Sequence, residues 1–413
     1  MNCVSIRNYL DNGCRKRALM KKILMISQNF YPEIGSAGNR MKSIYVLLKN
    51  LGYDIKVLTT EPTYPNRKFY ENGNLWDDEE LNQDPDIYRI NVKNKKYSRS
   101  LLNRLFYYLE VAIKMFVYIL RNKGEFSTVI TTSPPIFIAI VGLFAKKYYK
   151  AELILDIRDL WPESLKGVGV FNSPFIIKIF KKIEKIMYET ANEIIVNSRG
   201  FIEYIVSRHS ASSTKITYIP NGARKDEITS NNVETFKVIY AGNIGLAQDD
   251  LVLKKLAKEL NERKTELTII GYGLKKDSFI EYCKENNLVN VSFLSPTTRE
   301  ECLKIISTHQ VGVVSLEDKE VFKTVLPGKI IDYMTCGVPI VGSVSGIAKE
   351  VILSEQVGFV SEDNNVKEMI YYIDTIKNNP LLRQEMSQNG NLYVQRDFLW
   401  ESNIDSLVNI LEG

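Results

Sequence analysis

The chain has 413 residues, more than one ordinary hydrophobic core sustains, so two domains are expected. Lys and Arg number 54 against 49 Asp and Glu, a net of +5 that is too mild to argue for a nucleic-acid partner, so any basic partner surface must be local. The five cysteines, Cys3, Cys14, Cys283, Cys302 and Cys336, are odd in number and keep no metal spacing; they fit a reducing cytoplasm, with no disulfide and no zinc site.

Residues 1–20 carry no continuous apolar core, being interrupted by Arg7, Asp11, Arg15, Lys16 and Arg17, so they do not read as a signal peptide. They read as an arm without fixed structure or as the product of an upstream start codon, since Met20 directly precedes the first apolar run. Short apolar runs at Ile23–Ile26, Ile55–Leu58, Val129–Thr131, Leu153–Asp156, Ile194–Val196 and Ile216–Ile219 then alternate with helical patterns, as buried parallel strands do. After a polar stretch at 223–235 the pattern restarts with Val238–Ala241, Leu267–Ile270, Val291–Leu294, Val311–Ser315 and Pro339–Val341. The fold class is therefore α/β: two doubly wound, Rossmann-like domains at 21–222 and 236–390, a linker at 223–235, and a closing helix within 391–413 that could cross back to the first domain. In such sheets ligands sit at the C-terminal strand ends, and two facing sheets would form a cleft.

One helical segment is apolar almost all round. Leu102, Leu105, Phe106, Leu109, Ile113, Phe116, Val117 and Leu120 form a stripe, widened by Tyr108, Val111, Met115 and Ile119. Lys93, Lys95, Lys96, Arg99, Arg104, Lys114, Arg121 and Lys123 surround it against the single acid Glu110. It is too short and too charged to span a bilayer, leaving two readings for 93–123: a helix packed on the sheet with a solvated basic flank, or contact with a membrane surface.

Four strand-end loops and one helix head are candidates for chemistry. Gly35-Ser36-Ala37-Gly38, ahead of a helix at Met41–Leu51, lets backbone N–H groups approach an anion, or is a plain turn; it matches neither G-x-G-x-x-G nor a P-loop, which disfavours NAD and Walker-type ATP sites. Asp156-Ile157-Arg158-Asp159-Leu160-Trp161-Pro162-Glu163 crowds charge at a strand end, where Arg158 and Asp159 could meet substrate or pin the loop as an ion pair. Gly242, Asn243 and Gln248 follow a second-domain strand, and Gly271 and Gly273 follow the next. In the same domain Pro327-Gly328-Lys329 opens a short helix whose unpaired N–H groups, dipole and Lys329 suit a phosphate, with Asp332 one turn on to accept from sugar hydroxyls. The bland alternative is an ordinary αβ unit with an exposed lysine. Only His209 and His309 are present, so a histidine base is not expected, and no Ser/His/Asp set, H-E-x-x-H or Asp-rich metal loop appears.

Taken together, Phe30-Tyr31-Pro32…Gly35-Ser36-Ala37-Gly38, Asp156–Ser164, Ile219-Pro220-Asn221-Gly222, Tyr240-Ala241-Gly242-Asn243-Ile244-Gly245 and Pro327-Gly328-Lys329…Asp332-Tyr333-Met334…Gly337-Val338-Pro339 resemble family 4 glycosyltransferases of the GT-B fold, most of all the bacterial surface-polysaccharide branch (O-antigen and capsule). The resemblance implies transfer of a sugar, an N-acetylhexosamine or deoxyhexose, from a nucleoside diphosphate donor, UDP-linked, to a lipid-linked saccharide. It implies retention of configuration, no cofactor and no metal, and a cytoplasmic location, peripheral on the inner membrane face. By position, Gly35 and Gly38 would face the donor, Lys329 and the helix head would neutralise the leaving diphosphate, and Asp332 would bind ribose. Arg158 stands where many members have His, with Asp159 following as their Asp does. Four positions depart from the pattern: Thr324 occupies the place of an acid eight residues before Asp332, Asn243 and Gln248 replace Arg and Lys, and the ribose acid is Asp332, not Glu. A nucleotide-sugar 2-epimerase and a non-catalytic nucleotide-sugar-binding scaffold are the alternatives.

Overall fold

The computed structural model describes residues 21–93, 101–167, 174–209, 212–230 and 235–413; the N-terminal arm, Lys95, Lys96 and Arg99 lie outside the described residues. The chain forms two compact units. Of the described residues, the first unit comprises those within 21–162, 174–220 and 401–413, the second those within 163–167 and 221–400.

In the first unit seven parallel strands, β1 (Lys22–Ile26), β2 (Asp54–Thr60), β3 (Ile87–Ile90), β4 (Thr128–Ser133), β5 (Glu152–Ile157), β6 (Glu193–Val196) and β7 (Ile216–Tyr218), lie in the order 3-2-1-4-5-6-7. Ile23, Leu24, Met25 and Ile26 are fully buried, as a central strand covered on both faces must be. The helix Ser36–Asn50 returns the chain from β1 to β2 and buries Met41, Ile44, Tyr45 and Leu48, spaced for one helical face. It starts five residues earlier than expected, so Gly38 lies in its first turn.

The second unit contains β8 (Lys237–Asn243), β9 (Glu266–Tyr272), β10 (Val291–Leu294), β11 (Val311–Ser315), β12 (Ile340–Ser343) and β13 (Gly358–Val360), all parallel, in the order 10-9-8-11-12-13. Both sheets are doubly wound, and strand order reverses between β1 and β4 and between β8 and β11. Those are the points where crossover loops diverge and leave room for a ligand. The edge strands β3 and β13 are additions to the predicted set. Each is only three or four residues long, and β3 carries Arg89.

The stretch read as a linker contributes a short 3₁₀ turn, Lys225–Glu227, and Thr229 N–H bonds Thr335 O at 3.0 Å, both inside the second unit. Ala223 exchanges backbone hydrogen bonds with Phe398 (2.9 Å) and Trp400 (3.0 Å). Beyond Trp400, the last helix belongs to the first unit, where Lys21 Nζ bonds Leu411 O and Tyr53 Oη bonds Glu412 Oε1 at 3.3 Å.

The helix Leu101–Arg121 corrects the predicted stripe. Its packed face is Tyr107, Val111, Met115 and Ile119, all fully buried, a straight i, i+4 row. Phe106, Leu109, Ile113, Val117 and Leu120 point outward instead, with Phe106, Ile113 and Leu120 more than half exposed. With apolar residues on every side, periodicity alone did not identify the inner face.

One ion pair holds the C-terminal edge of the first sheet. Arg40 and Asp156 are both fully buried; Arg40 Nε reaches both carboxylate oxygens at 3.1 and 3.0 Å, Nη2 reaches Oδ1 at 2.8 Å, and Nη1 donates to Pro220 O at 3.0 Å. Removing one partner strands the other charge in the interior. Arg40→Met is expected to lower the unfolding free energy by about 3–5 kcal/mol in urea titrations. The double replacement Arg40→Met with Asp156→Leu should recover most of the loss, and equal losses in single and double variants would contradict this account.

Candidate functional site

In the first unit, Glu33 fixes the loop after β1. Its buried carboxylate accepts from Asn29 Nδ2 and, at 3.0 Å, from Thr63 N–H. Gly35 then caps the helix with φ 104°, a left-handed value that favours glycine. At Gly38 the requirement is space, because a Cβ would lie 2.1 Å from Glu33 O. Both glycines are thus explained by local geometry, which also leaves the helix head without a side-chain cap.

Arg158 and Asp159 follow β5. Arg158 N–H bonds Ser133 O at 2.8 Å and its Nη2 bonds Pro134 O at 2.5 Å, so the guanidinium is turned toward the β4 loop. Asp156 is already committed to Arg40, and Arg158 Nε is buried without a partner among the described residues. Burial lowers the Arg158 pKa, Asp156 opposes this and Arg40 adds to it. Asp159 Oδ1 accepts from Leu160 N–H at 2.9 Å, as a turn-forming acid does.

In the second unit the candidates converge on the β8 end. The helix Gly328–Thr335 begins at Pro327 with neither a side-chain cap nor an acid in its first turn. Tyr333 pins it to the sheet, accepting from Ala241 N–H at 2.8 Å and donating to Val313 O at 3.2 Å. Gly312 makes this possible, since a Cβ there would fall 2.5 Å from the Tyr333 ring. Lys329 Nζ consequently sits 3.6 Å from the centroid of the Tyr240 ring, and its amine is buried with no hydrogen-bond partner among the described residues. Gly242 (φ 127°) faces it: a Cβ there would meet Lys329 Nζ at 3.6 Å. Asn243 Oδ1 is likewise buried and unpaired, and Gly273 leaves room for it, because a Cβ there would lie 2.0 Å away.

The structure therefore gathers Gly242, Asn243, Gly273, Lys329 and the helix head Pro327-Gly328. Gly271 packs on Ile244, with 3.0 Å between a Cβ built there and Ile244 Cδ1, and Gln248 spends its Oε1 on Gly245 N–H at 2.9 Å. Thr324 ends the helix Glu320–Lys323, with its hydroxyl on Val321 O at 2.8 Å. His309 is a core residue: its Nε2 lies 2.8 Å from Thr268 Oγ1 and its Nδ1 2.8 Å from Ile305 O. Among the described residues no group of His, Cys, Asp and Glu is placed to hold a metal ion.

Two side chains went unrecognised in the sequence. Arg299 Nη1 bonds Asp332 Oδ1 at 3.0 Å, while its Nε and Nη2 hold Glu227 at 2.7 and 3.0 Å. Lys275 Nζ reaches Gln248 O at 3.0 Å, but Asp250 at 2.7 Å and Glu317 at 3.6 Å balance its charge. Loss of hydration raises the Asp332 carboxyl, with Arg299 opposing. For Arg299, Asp332 and Glu227 outweigh burial and raise its pKa.

Comparison with known proteins places this geometry in a family. The model "Glycosyl transferase 4-like domain" matches residues 35–222 and "Glycosyl transferases group 1" matches 223–392, end to end. WcaI of Escherichia coli, named for colanic acid biosynthesis, is 20% identical over 334 residues, 76% of this chain and 81% of WcaI. Among solved structures, sucrose-phosphate synthase of Thermosynechococcus elongatus matches with TM-score 0.72 and 17% identity over 95% of this chain and 98% of that one. Anabaena Alr3699/HepE, solved with UDP and glucose, matches with TM-score 0.69 and 14% identity over 95% and 100%. The chain belongs to the family 4 glycosyltransferases and has the GT-B fold.

Burial lowers the Lys329 pKa from 10.5 to about 7, with Asp332 opposing. The unfolded chain therefore binds the extra proton between those values, so ligand-free stability rises with pH from about 7 to 10.5 and the full penalty is present below 7. Lys329→Met keeps the apolar stem and removes the charge. At pH 7 it is expected to stabilise the ligand-free protein by on the order of 3–5 kcal/mol and to flatten stability across that pH range in thermal melts. A lower Tm at pH 7 would count against a strained cation.

Proposed function

We propose that this glycosyltransferase moves an N-acetylhexosamine or deoxyhexose from a UDP-linked donor to a lipid-linked saccharide in bacterial surface-polysaccharide synthesis, with retention and without a metal or cofactor. The carrying observation is the buried, unpaired Lys329 amine at an uncapped helix head facing Gly242. A diphosphate there would meet the ammonium and free N–H groups, and its charge would restore the proton that burial disfavours. In the same reading Asp332 accepts from ribose, Gly35 and Gly38 approach the donor, and Arg158 and Asp159 serve the acceptor. The names given to WcaI and HepE support polysaccharide synthesis and UDP as chemistry to test first.

The mechanism in this reading is front-face displacement. The acceptor hydroxyl attacks the anomeric carbon on the side from which the diphosphate leaves, the carbon–oxygen bond to phosphate breaks, and a donor phosphate oxygen takes the hydroxyl proton. Lys329 stabilises the charge growing on the diphosphate, and no histidine is required. The lipid-linked acceptor places the reaction on the cytoplasmic membrane face. The outward row Phe106, Leu109, Ile113, Val117 and Leu120 suits an interfacial contact, while among the described residues no helix is long and apolar enough to cross a membrane.

A panel of nucleotide sugars tests the donor by thermal unfolding. The true donor nucleotide at a hundred times its Kd should stabilise by about 2.7 kcal/mol, and Lys329→Met should abolish most of that gain. NMR of the product then reads the anomeric configuration. Stabilisation by NAD but by no nucleotide sugar would overturn the reading, as would an unchanged UDP response in Lys329→Met.

A further inference from the structure

The ion-pair cluster behind Asp332 goes beyond the residues expected of the family pattern. Arg299 opens the helix Arg299–Ile306, and Glu227 comes from the 3₁₀ turn of the 223–235 stretch. Glu227 is nearly buried, with 7% of its side chain exposed, and is held by Arg224 N–H at 2.9 Å as well as by two Arg299 nitrogens. The guanidinium plane is therefore set before it reaches Asp332. There it donates one bond, from Nη1 to Oδ1, and Oδ2 accepts from no described residue. Asp332 keeps 31% of its side chain exposed.

We infer that Arg299 is a positioning residue: anchored by Glu227, it holds the Asp332 carboxylate in one orientation, so that Oδ2 selects the ribose hydroxyls of a nucleoside diphosphate over a deoxyribose. This rests on the reading of the second unit as a nucleotide-sugar site. The charged and titratable groups around Asp332 are Arg299 and Cys302 of one helix, Glu227 of the turn, Tyr272 of β9, and Lys329, Tyr333 and Cys336 of its own segment. Arg299 makes the direct ion pair with it. Without Arg299 the carboxyl loses its main opposition to burial and takes up its proton at higher pH, and a protonated, freely turning acid accepts poorly.

The test uses calorimetric binding of UDP, 2′-deoxy-UDP and 3′-deoxy-UDP to the full chain. The wild type should prefer UDP over at least one deoxy analogue by about 10-fold or more, the scale of a hydrogen bond to a charged group. Arg299→Met should cut that preference several-fold by weakening UDP while leaving the deoxy analogue within about twofold, and the preference that remains should be lost, as pH falls, at a higher pH than in wild type. Asp332→Asn should lose the same preference, and adding Arg299→Met to it should change the ratio no further. Arg299→Lys should restore part of it. Glu227→Gln, the variant to use if Arg299→Met does not fold, should show an intermediate loss. A merely structural Arg299 would lower Tm and leave the UDP/deoxy-UDP ratio and its pH profile unchanged, which overturns the inference. Failure of the wild type to bind UDP at all would instead remove the functional reading on which it rests.

Discussion

A primary amine buried with no acceptor among the described residues, that of Lys329, is the constraint around which the β8 end of the second unit is arranged. The Tyr240 ring face under Lys329 returns part of the lost hydration, and Tyr240 is itself fixed because its hydroxyl bonds Asn243 O at 2.7 Å. Tyr333 sets the height of the helix carrying Lys329, and Gly312 lets Tyr333 lie flat on β11. Gly242 removes the side chain that would fill the space before the amine. Each of these features also keeps the cation poorly solvated in the empty protein. The arrangement makes sense when an anion completes it, because a donor fixed before the reaction needs no reorganisation as charge develops.

The first unit handles buried charge in two ways within a few residues. Arg40 and Asp156 satisfy one another almost completely, with three N–H···O contacts and a fourth bond to Pro220 O. That pair ties the helix after β1 to the end of β5 and closes the sheet edge. Arg158, two residues beyond Asp156, obtains only a carbonyl from its neighbours, and its Nε is left without a partner among the described residues. In sequence both are charges at one strand end, with Asp156 reading as the structural one and Arg158 as the one that meets substrate. The fold separates them into a completed structural pair and a guanidinium with capacity left for a ligand.

Most strands were legible because a strand covered on both faces is an uninterrupted apolar run, and the predicted runs coincide with β1, β2 and β4–β12 in placement. The short edges β3 and β13 carried no such signal. The Leu101–Arg121 helix was legible as a helix but not as an oriented one, since Val111 and Met115 compete with Ile113 and Phe116 for the inner face and only contact with the sheet decides. At the site, Pro327-Gly328-Lys329 and Gly242 were readable because helix heads and positive-φ turns have compositional signatures. Arg299 had none. In Thr298-Arg299-Glu300-Glu301 it follows an N-cap, with Thr298 Oγ1 on Glu301 N–H, and looks like one more surface charge.

That hidden residue alters the meaning of the shorter acid. A glutamate at position 332 would extend one methylene further and could meet a ligand with its own reach. An aspartate is held closer to its helix, and in this chain its carboxylate is oriented from the opposite side by an arginine braced on Glu227. The brace costs little conformational freedom, because Glu227 is itself fixed by Arg224 N–H in a turn bonded onto the same helix through Thr229 and Thr335. A stretch that reads in sequence as a passive connection thus supplies, through Glu227, the anchor of the Arg299–Asp332 pair.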